Sequence, residues 1–323
     1  MTNKNGLKVV FMGTPDFAVP VLEAILKSTH QILAVVTSPD KPAGRGLKLS
    51  ESAVKKTALK HRLELLQPEN LKDPNFIACL QQLQPDVIVV VAFRMLPKAV
   101  WQLPKKGTFN LHASLLPDYR GAAPIHWAII NGEQHTGLTT FFIDEKIDTG
   151  AIIDQVSLPI ECADTTGSLH DKLAEVGAQL VVKTLDDIQA DAVRPKIQKH
   201  ITSPKIAPKL DKSVQYINWD MSGQQIINKI RGLYPFPVAK AFMHYGDEVL
   251  DIKIQKAQFL ETKVVTKAKG KVLADKKSFK VVVKDGLVEL LEFQLPGKKP
   301  LKAEQILAGL DLSKPIAMKS RSH

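Results

Sequence analysis

The sequence has only two cysteines in 323 residues, Cys79 and Cys162. They are too few for a disulfide framework and too far apart for a CxxC redox or metal pair. No stretch approaches the ~20 consecutive apolar residues of a membrane span. The apolar run at residues 7–12 is interrupted by Lys8 and falls short of a signal-peptide core. HExxH and clustered Cys/His patterns are absent, so no metal site is expected. Without a Gly-x-Ser-x-Gly elbow or a cysteine in a catalytic pattern, any chemistry is expected to be direct group transfer with no covalent enzyme intermediate. The G-x-G-x-x-G fingerprint is missing too. Gly13-Thr14-Pro15 stands where a dinucleotide loop would lie, but Pro15 removes an amide donor, which counts against a nucleotide-dependent oxidoreductase. A soluble cytoplasmic protein is the expectation.

What is present is ordinary globular material, 44% hydrophobic and 24% charged, in a length that suits two domains. The charge is unevenly placed. Residues 205–323 hold 22 Lys+Arg against 12 Asp+Glu, a net +10, whereas residues 1–204 are nearly neutral. That asymmetry suits one domain for chemistry and another for holding a polyanion; lysines merely solvated at the surface are the alternative. Residues 192–208 contain three prolines and no sustained period, which marks a linker between a first domain at 1–191 and a second at 209–323.

In the first domain, strands are expected at 8–12, 32–37 and 86–93, the last an apolar run suited to burial on both faces. Helical patterns fall at 17–26, 52–61, 75–83, 123–131 and 165–190, and residues 38–48 read as an exposed loop. Strands at 137–143 and 151–158 form an antiparallel pair around a loop containing Asp148. These features imply a Rossmann-like, mainly parallel α/β sheet with helices on both faces. Beyond the linker, a helix at 222–233 and five short strands fit a small β-barrel of the oligonucleotide-binding type, with an open antiparallel sheet as the competing arrangement.

The most specific stretch is NLHASLLPDYRGAAP, residues 110–124. TFNLHA alternates, so Asn110 and His112 share one side of a strand that ends in a Pro/Gly-rich loop. An amide donates without titrating and an imidazole donates or accepts near neutral pH, a pairing suited to an acyl transfer whose carbonyl oxygen turns negative. Asp148 could supply the carboxylate that orients the imidazole. Taken alone, Asn-x-His also fits a solvated strand end.

With GTPDFA near the start, PDKPAGRG in the first long loop, DTG downstream and Ile217-Asn218-Trp219 opening the second domain, that stretch makes the chain resemble the methionyl-tRNA formyltransferases over almost its whole length. The SLLP-x-Y-R-G segment is also similar to glycinamide ribonucleotide formyltransferase and other users of 10-formyltetrahydrofolate. The resemblance implies catalytic roles for Asn110, His112 and Asp148. It implies tetrahydrofolate contacts from Ser114, Leu115, Leu116 and Pro117, and contact of Arg45 with the tRNA acceptor stem. It further implies 10-formyltetrahydrofolate as formyl donor, methionyl-initiator tRNA as acceptor, a tRNA-binding barrel and a monomer. Two departures from the family pattern stand near the expected pterin pocket: Lys146 where glycine is common in D-x-G-x-D-T-G, and a stretch from Ala92 to Pro97 one residue shorter than A-Y-G-x-x-L-P. A formyltransferase acting on a sugar nucleotide or purine precursor, and a non-catalytic RNA binder, are the alternatives.

Overall fold

Four successive residues, Val9, Val10, Phe11 and Met12, are fully buried. Neighbouring side chains of a strand point to opposite faces, so both faces of β1 (Lys8–Gly13) must be covered. The computed structural model, which describes residues 6–43, 48–199, 202–262 and 268–320, shows by what. After β1 come a 3-10 turn (Asp16–Ala18), α1 (Val19–Lys27), β2 (Gln31–Val36), β3 (Lys41–Ala43), β4 (Lys48–Ser50), α2 (Ala53–Lys60), β5 (Leu65–Leu66) and α3 (Pro74–Leu83). Then follow β6 (Val87–Val91), α4 (Lys98–Trp101), β7 (Thr108–His112), β8 (Arg120–Gly121), α5 (Pro124–Ile130), β9 (His135–Phe142), β10 (Ile152–Pro159) and α6 (Thr166–Gln189). Two units emerge: Met1–Gly121, Thr136–Leu158 and His170–Ile206 make the first, and Ala122–His135, Pro159–Leu169 and Ala207–His323 the second.

The first unit is built on a seven-stranded sheet in the order β10-β9-β7-β6-β1-β2-β5. The strands from β7 to β5 in that order run parallel, and β9 is antiparallel to β7. One face packs Val10, Met12, Ile88 and Val90 against Phe76 and Leu80 of α3 and Val100 of α4. On the other face α6 approaches closely enough at Gly177 that a Cβ there would lie 2.8 Å from Leu111 Cδ2, so glycine is what lets helix and sheet meet. Ser52 caps α2 by accepting from the Lys55 N–H at 3.0 Å, and Asp73 caps α3 by accepting from Asn75 at 2.9 Å. From β1 the chain steps to β2 on one side and returns to β6 on the other. The strand order therefore reverses between β1 and β6, and the carboxyl ends of the strands at such a switch point are where open α/β sheets take their ligands.

Two local features differ from the sequence reading. Within the expected loop at 38–48, residues 41–43 form β3, which pairs antiparallel with β4 at 48–50, and the Lys55 ammonium meets the Asp40 carboxylate at its base. A charged, proline-containing run has no hydrophobic alternation to betray such a hairpin. The strand expected to reach residue 93 ends at Val91, because Ala92 takes a left-handed conformation with φ of 46°.

After α6 and β11 (Ile206–Ala207), the second unit holds α7 (Gly223–Gly232), β12 (Ala239–Tyr245), β13 (Glu248–Glu261), β14 (Val272–Ala274), β15 (Phe279–Val282), β16 (Gly286–Gln294), β17 (Leu301–Lys302), α8 (Ala303–Leu307) and β18 (Ile316–Lys319). Ser222 and Gln225 form a reciprocal capping box at the start of α7. Its buried Ile226 and Ile230 join Trp219, Phe279 and Phe293 in one core. The strands follow the order β14-β15-β16-β13-β12-β18. The two ends of that order meet: Lys271, just before β14, bridges Ala317 of β18, and Met318 N–H donates to Gly270 O at 2.7 Å. The sheet is thus a nearly closed barrel, not an open one. The five strands expected from the sequence, the last at 287–294, do not include β18, the strand that brings the ends together.

Candidate active site

Asn110 and His112 lie two residues apart on β7, opposite Phe141 and Thr139 of β9, so both project to the same side at its carboxyl end. Asn110 is half-buried, and among the described residues its side-chain amide has no hydrogen-bond partner. His112 is nearly enclosed, with 7% of its surface exposed. Its Nε2 lies 2.9 Å from the Tyr119 carbonyl oxygen. A carbonyl only accepts, so Nε2 carries a proton, and Nδ1 is the nitrogen left for chemistry.

Asp148 arrives on the loop between β9 and β10. Its Oδ2 lies 3.9 Å from His112 Nδ1, ion-pair range when the ring is protonated but too long for a hydrogen bond. The same oxygen accepts the Gly121 N–H at 2.9 Å. Asp148 itself is left-handed, with φ of 55°. The loop is closed by Asp144, whose Oδ1 accepts from the Thr149 hydroxyl at 2.7 Å and the Lys146 N–H at 3.0 Å. Positive φ thus falls on Asp148 and not on Lys146, so lysine in the place of the family's usual glycine carries no backbone strain here.

Ser114 and Leu116 are buried, and Leu115 and Pro117 are half-buried. The Ser114 hydroxyl donates to Asp118 O at 2.7 Å and its carbonyl accepts from Thr139 Oγ1 at 2.7 Å, while Thr139 Oγ1 also accepts the Leu116 N–H at 3.1 Å. Gln155 Nε2 adds bonds to Leu116 O at 3.0 Å and Thr139 Oγ1 at 2.9 Å. The polar groups of Ser114 and Leu116 therefore hold the segment to β9 and β10, and Leu115 and Pro117 carry its exposed apolar surface. In the shortened stretch, Arg94 donates to Pro68 O at 2.7 Å and Glu69 O at 2.9 Å. Arg45 lies outside the described residues.

Sequence reasoning missed the residues that brace this arrangement. Tyr119, left-handed with φ of 60°, aims its carbonyl at His112. Arg120 donates to Gln198 Oε1 from Nε at 3.2 Å and from Nη2 at 2.5 Å, and Gln198 Nε2 donates to the carbonyls of Asp148 and Gly150, each at 2.9 Å. No periodicity marks a glutamine within a proline-rich segment. Among the described residues there is no group of three or more His, Cys, Asp or Glu placed to hold a metal ion, and no helix long and apolar enough to cross a membrane.

Comparison with known proteins adds identity to this geometry. Residues 7–185 match the family model described as formyl transferase, and residues 209–311 match the formyl transferase C-terminal domain. A methionyl-tRNA formyltransferase of Flavobacterium johnsoniae is 50% identical over 307 residues, covering 95% of this chain and 97% of its own length. Those of Bacteroides fragilis and Thermodesulfovibrio yellowstonii are 46% and 45% identical, over 98% and 93% of this chain and 99% and 95% of theirs. Among solved structures, the sugar 3N-formyl transferase WlaRD, determined with dTDP and 5-N-formyl-THF, superposes with a TM-score of 0.64 at 22% identity, over 91% of this chain and all (100%) of that one. The Helicobacter canadensis N-formyltransferase gives a TM-score of 0.63 at 23% identity, over 88% of this chain and 98% of its own. These two establish the fold. The curated relatives establish more: the chain belongs to the methionyl-tRNA formyltransferase family.

Proposed function

We propose that the chain transfers the formyl group of 10-formyltetrahydrofolate to the free α-amino group of methionyl-initiator tRNA, the step that prepares that tRNA for translation initiation in the cytoplasm. One observation carries the reading. In a chain half identical to a methionyl-tRNA formyltransferase, an amide, an imidazole and a carboxylate from two separate segments gather at the carboxyl end of β7.

The donor supplies a formyl carbon activated by its bond to nitrogen, and the amide donors of Asn110 suit the oxygen of that group. As the amine nitrogen bonds to the carbon, negative charge gathers on the formyl oxygen. Asn110 Nδ2 donates to that oxygen, and His112, protonated at Nδ1, adds a second positive donor. Nε2–H stays on Tyr119 O and keeps the ring in plane. Asp148 balances the imidazolium charge across 3.9 Å and assists removal of the amine proton, directly or through water. The carbon–nitrogen bond to the donor then breaks, the leaving nitrogen takes a proton, and tetrahydrofolate departs. The apolar surface of Leu115 and Pro117, on a segment held in place by Ser114 and Leu116, suits the donor's ring system.

The strongly basic residues 205–323 supply the electrostatic hold on tRNA, through counterion release from its phosphates. Arg45, between Gly44 and Gly46, contacts the acceptor stem, as the family resemblance implies. The test is formyl transfer from 10-formyltetrahydrofolate, measured with charged initiator tRNA and with an amino-sugar nucleotide. Transfer to the charged tRNA is expected. Transfer to the amino sugar alone would overturn the reading.

A further inference from the structure

The residue that ties the site together comes from the segment read in the sequence as a linker. Gln198 grips the Asp148 loop from behind: its Nε2 donates to the carbonyl oxygens of Asp148 and Gly150, both at 2.9 Å. Its Oε1 takes two bonds from the Arg120 guanidinium, at 3.2 and 2.5 Å. Chemistry forces this amide orientation, since two carbonyls need the NH₂ end and a guanidinium needs the oxygen. The segment does not float into place. Lys196 and Ile152 exchange two backbone hydrogen bonds, each 2.8 Å, two residues before Gln198.

These bonds close a circuit around the reacting groups. Tyr119 O holds the His112 ring, Gly121 N–H holds the Asp148 carboxylate, and Arg120 between them holds Gln198, which holds the Asp148 backbone. Asp148 sits at φ of 55°, a conformation that a non-glycine residue keeps only when its surroundings impose it. Gln198 is the side chain that pins the peptide groups just beyond that strained residue. Without it, the carboxylate still accepts from Gly121, but the backbone that carries it is no longer held, and the 3.9 Å approach to Nδ1 is no longer set from both sides.

We infer that Gln198, braced by Arg120, is a positioning residue for the transfer reaction: it sets Asp148 against His112, so that the connecting segment is part of the active site as well as a tether. The inference rests on the catalytic roles given above to His112 and Asp148.

The test compares Gln198→Ala and Gln198→Glu in the full-length chain, reading kcat, KM for each substrate and the thermal midpoint. Glu at this position keeps, and strengthens, the contact with Arg120 but has no donor for either carbonyl. A role exercised through the Asp148 loop therefore predicts that both variants lose ~10²-fold in kcat, as small misplacements of reacting groups do. KM values and thermal midpoint should stay close to those of the unaltered chain. Full turnover in Gln198→Glu would overturn the inference, since bracing Arg120 would then suffice. So would a rise in KM for tRNA with kcat intact, which marks a tether, or loss of cooperative unfolding in both variants, which marks a fold-holding role. Absence of transfer by the unaltered chain would instead overturn the proposed reaction itself.

Discussion

The carbonyl oxygen of Tyr119 accepts the Nε2–H of His112 at 2.9 Å, and this bond assigns the imidazole its tautomer. Nδ1 is thereby turned to Asp148, 3.9 Å away. Both ends of the pair are held by one short segment, because Gly121, two residues beyond Tyr119, donates its N–H to the Asp148 carboxylate at 2.9 Å. Left-handed φ at Tyr119 and at Asp148 makes these contacts possible. Strain of this kind persists only where packing and hydrogen bonds over-determine it, as they do here.

Asn110→Ala should fold normally, because among the described residues the amide has no partner to lose. Removing one donor to a developing oxyanion costs ~10²–10³ in kcat. Initial rates of transfer to charged tRNA check this, and near-normal turnover would remove Asn110 from the mechanism.

His112→Gln separates the structural bond of the ring from its chemical one. A glutamine can still donate to Tyr119 O but has no nitrogen that takes a proton. The expected result is a thermal midpoint near that of the unaltered chain, with turnover lowered ~10²–10⁴-fold as proton transfer and charge are lost. Equal loss of stability and activity would show that the ring's main role is to hold its loop.

Salt should act on one substrate and not the other. With a net +10 on residues 205–323, KM for charged tRNA should climb steeply between low and physiological salt. A protein that neutralises several phosphates loses ~10³-fold or more in affinity from 50 to 200 mM. KM for the folate donor should change little. A flat salt response of the tRNA KM would argue against the basic unit as its holder.

Gly270→Ala should loosen the barrel where its ends meet. Gly270 has φ of 78°, and a Cβ there would overlap the Met318 carbonyl. A loss of ~1–3 kcal/mol is expected for forcing a side chain into that conformation. Urea unfolding followed by circular dichroism measures it, and an unchanged midpoint would mean that the Gly270–Met318 contact is not what closes the barrel.

Acid should weaken the same unit through two turn carboxylates. The Asp275 carboxyl is held below the ordinary carboxylate range by the N–H groups of Lys277 and Ser278 and then by the Ser278 hydroxyl. Asp311 is held low by the Ser313 hydroxyl and N–H. In both cases the folded value lies below the unfolded one. Their stabilisation is therefore complete above the unfolded value of about 4 and is lost as pH falls through the lower folded values. An Asp275→Asn/Asp311→Asn chain should show a shallower loss of stability below that pH in urea titrations.

How much of this was legible beforehand varies with the range of the forces involved. The alternation of TFNLHA puts Asn110 and His112 on one side, because side chains alternate in any strand. The unbroken apolar run of β6 announces a strand buried on both faces, and the helical pattern at 222–233 announces α7. By contrast, β3 and β4 pair across a charged, proline-containing run with no periodic signal. The six-stranded path of the barrel depends on β18, a four-residue strand that means little until it is seen beside β12.

By itself the sequence determined the α/β class, the family, the basic character of the second part and the side of β7 on which Asn110 and His112 stand, all carried by composition, motif or a period of a few residues. Tertiary structure alone decided which nitrogen of His112 is spent on Tyr119, that Gln198 from a distant segment pins Asp148, and that Met318 meets Gly270 to close the barrel. The physical reason is that hydrogen bonds between residues 50 positions apart, or bonds that choose a tautomer, leave no mark on local pattern and exist only once the backbone has brought their donors and acceptors together.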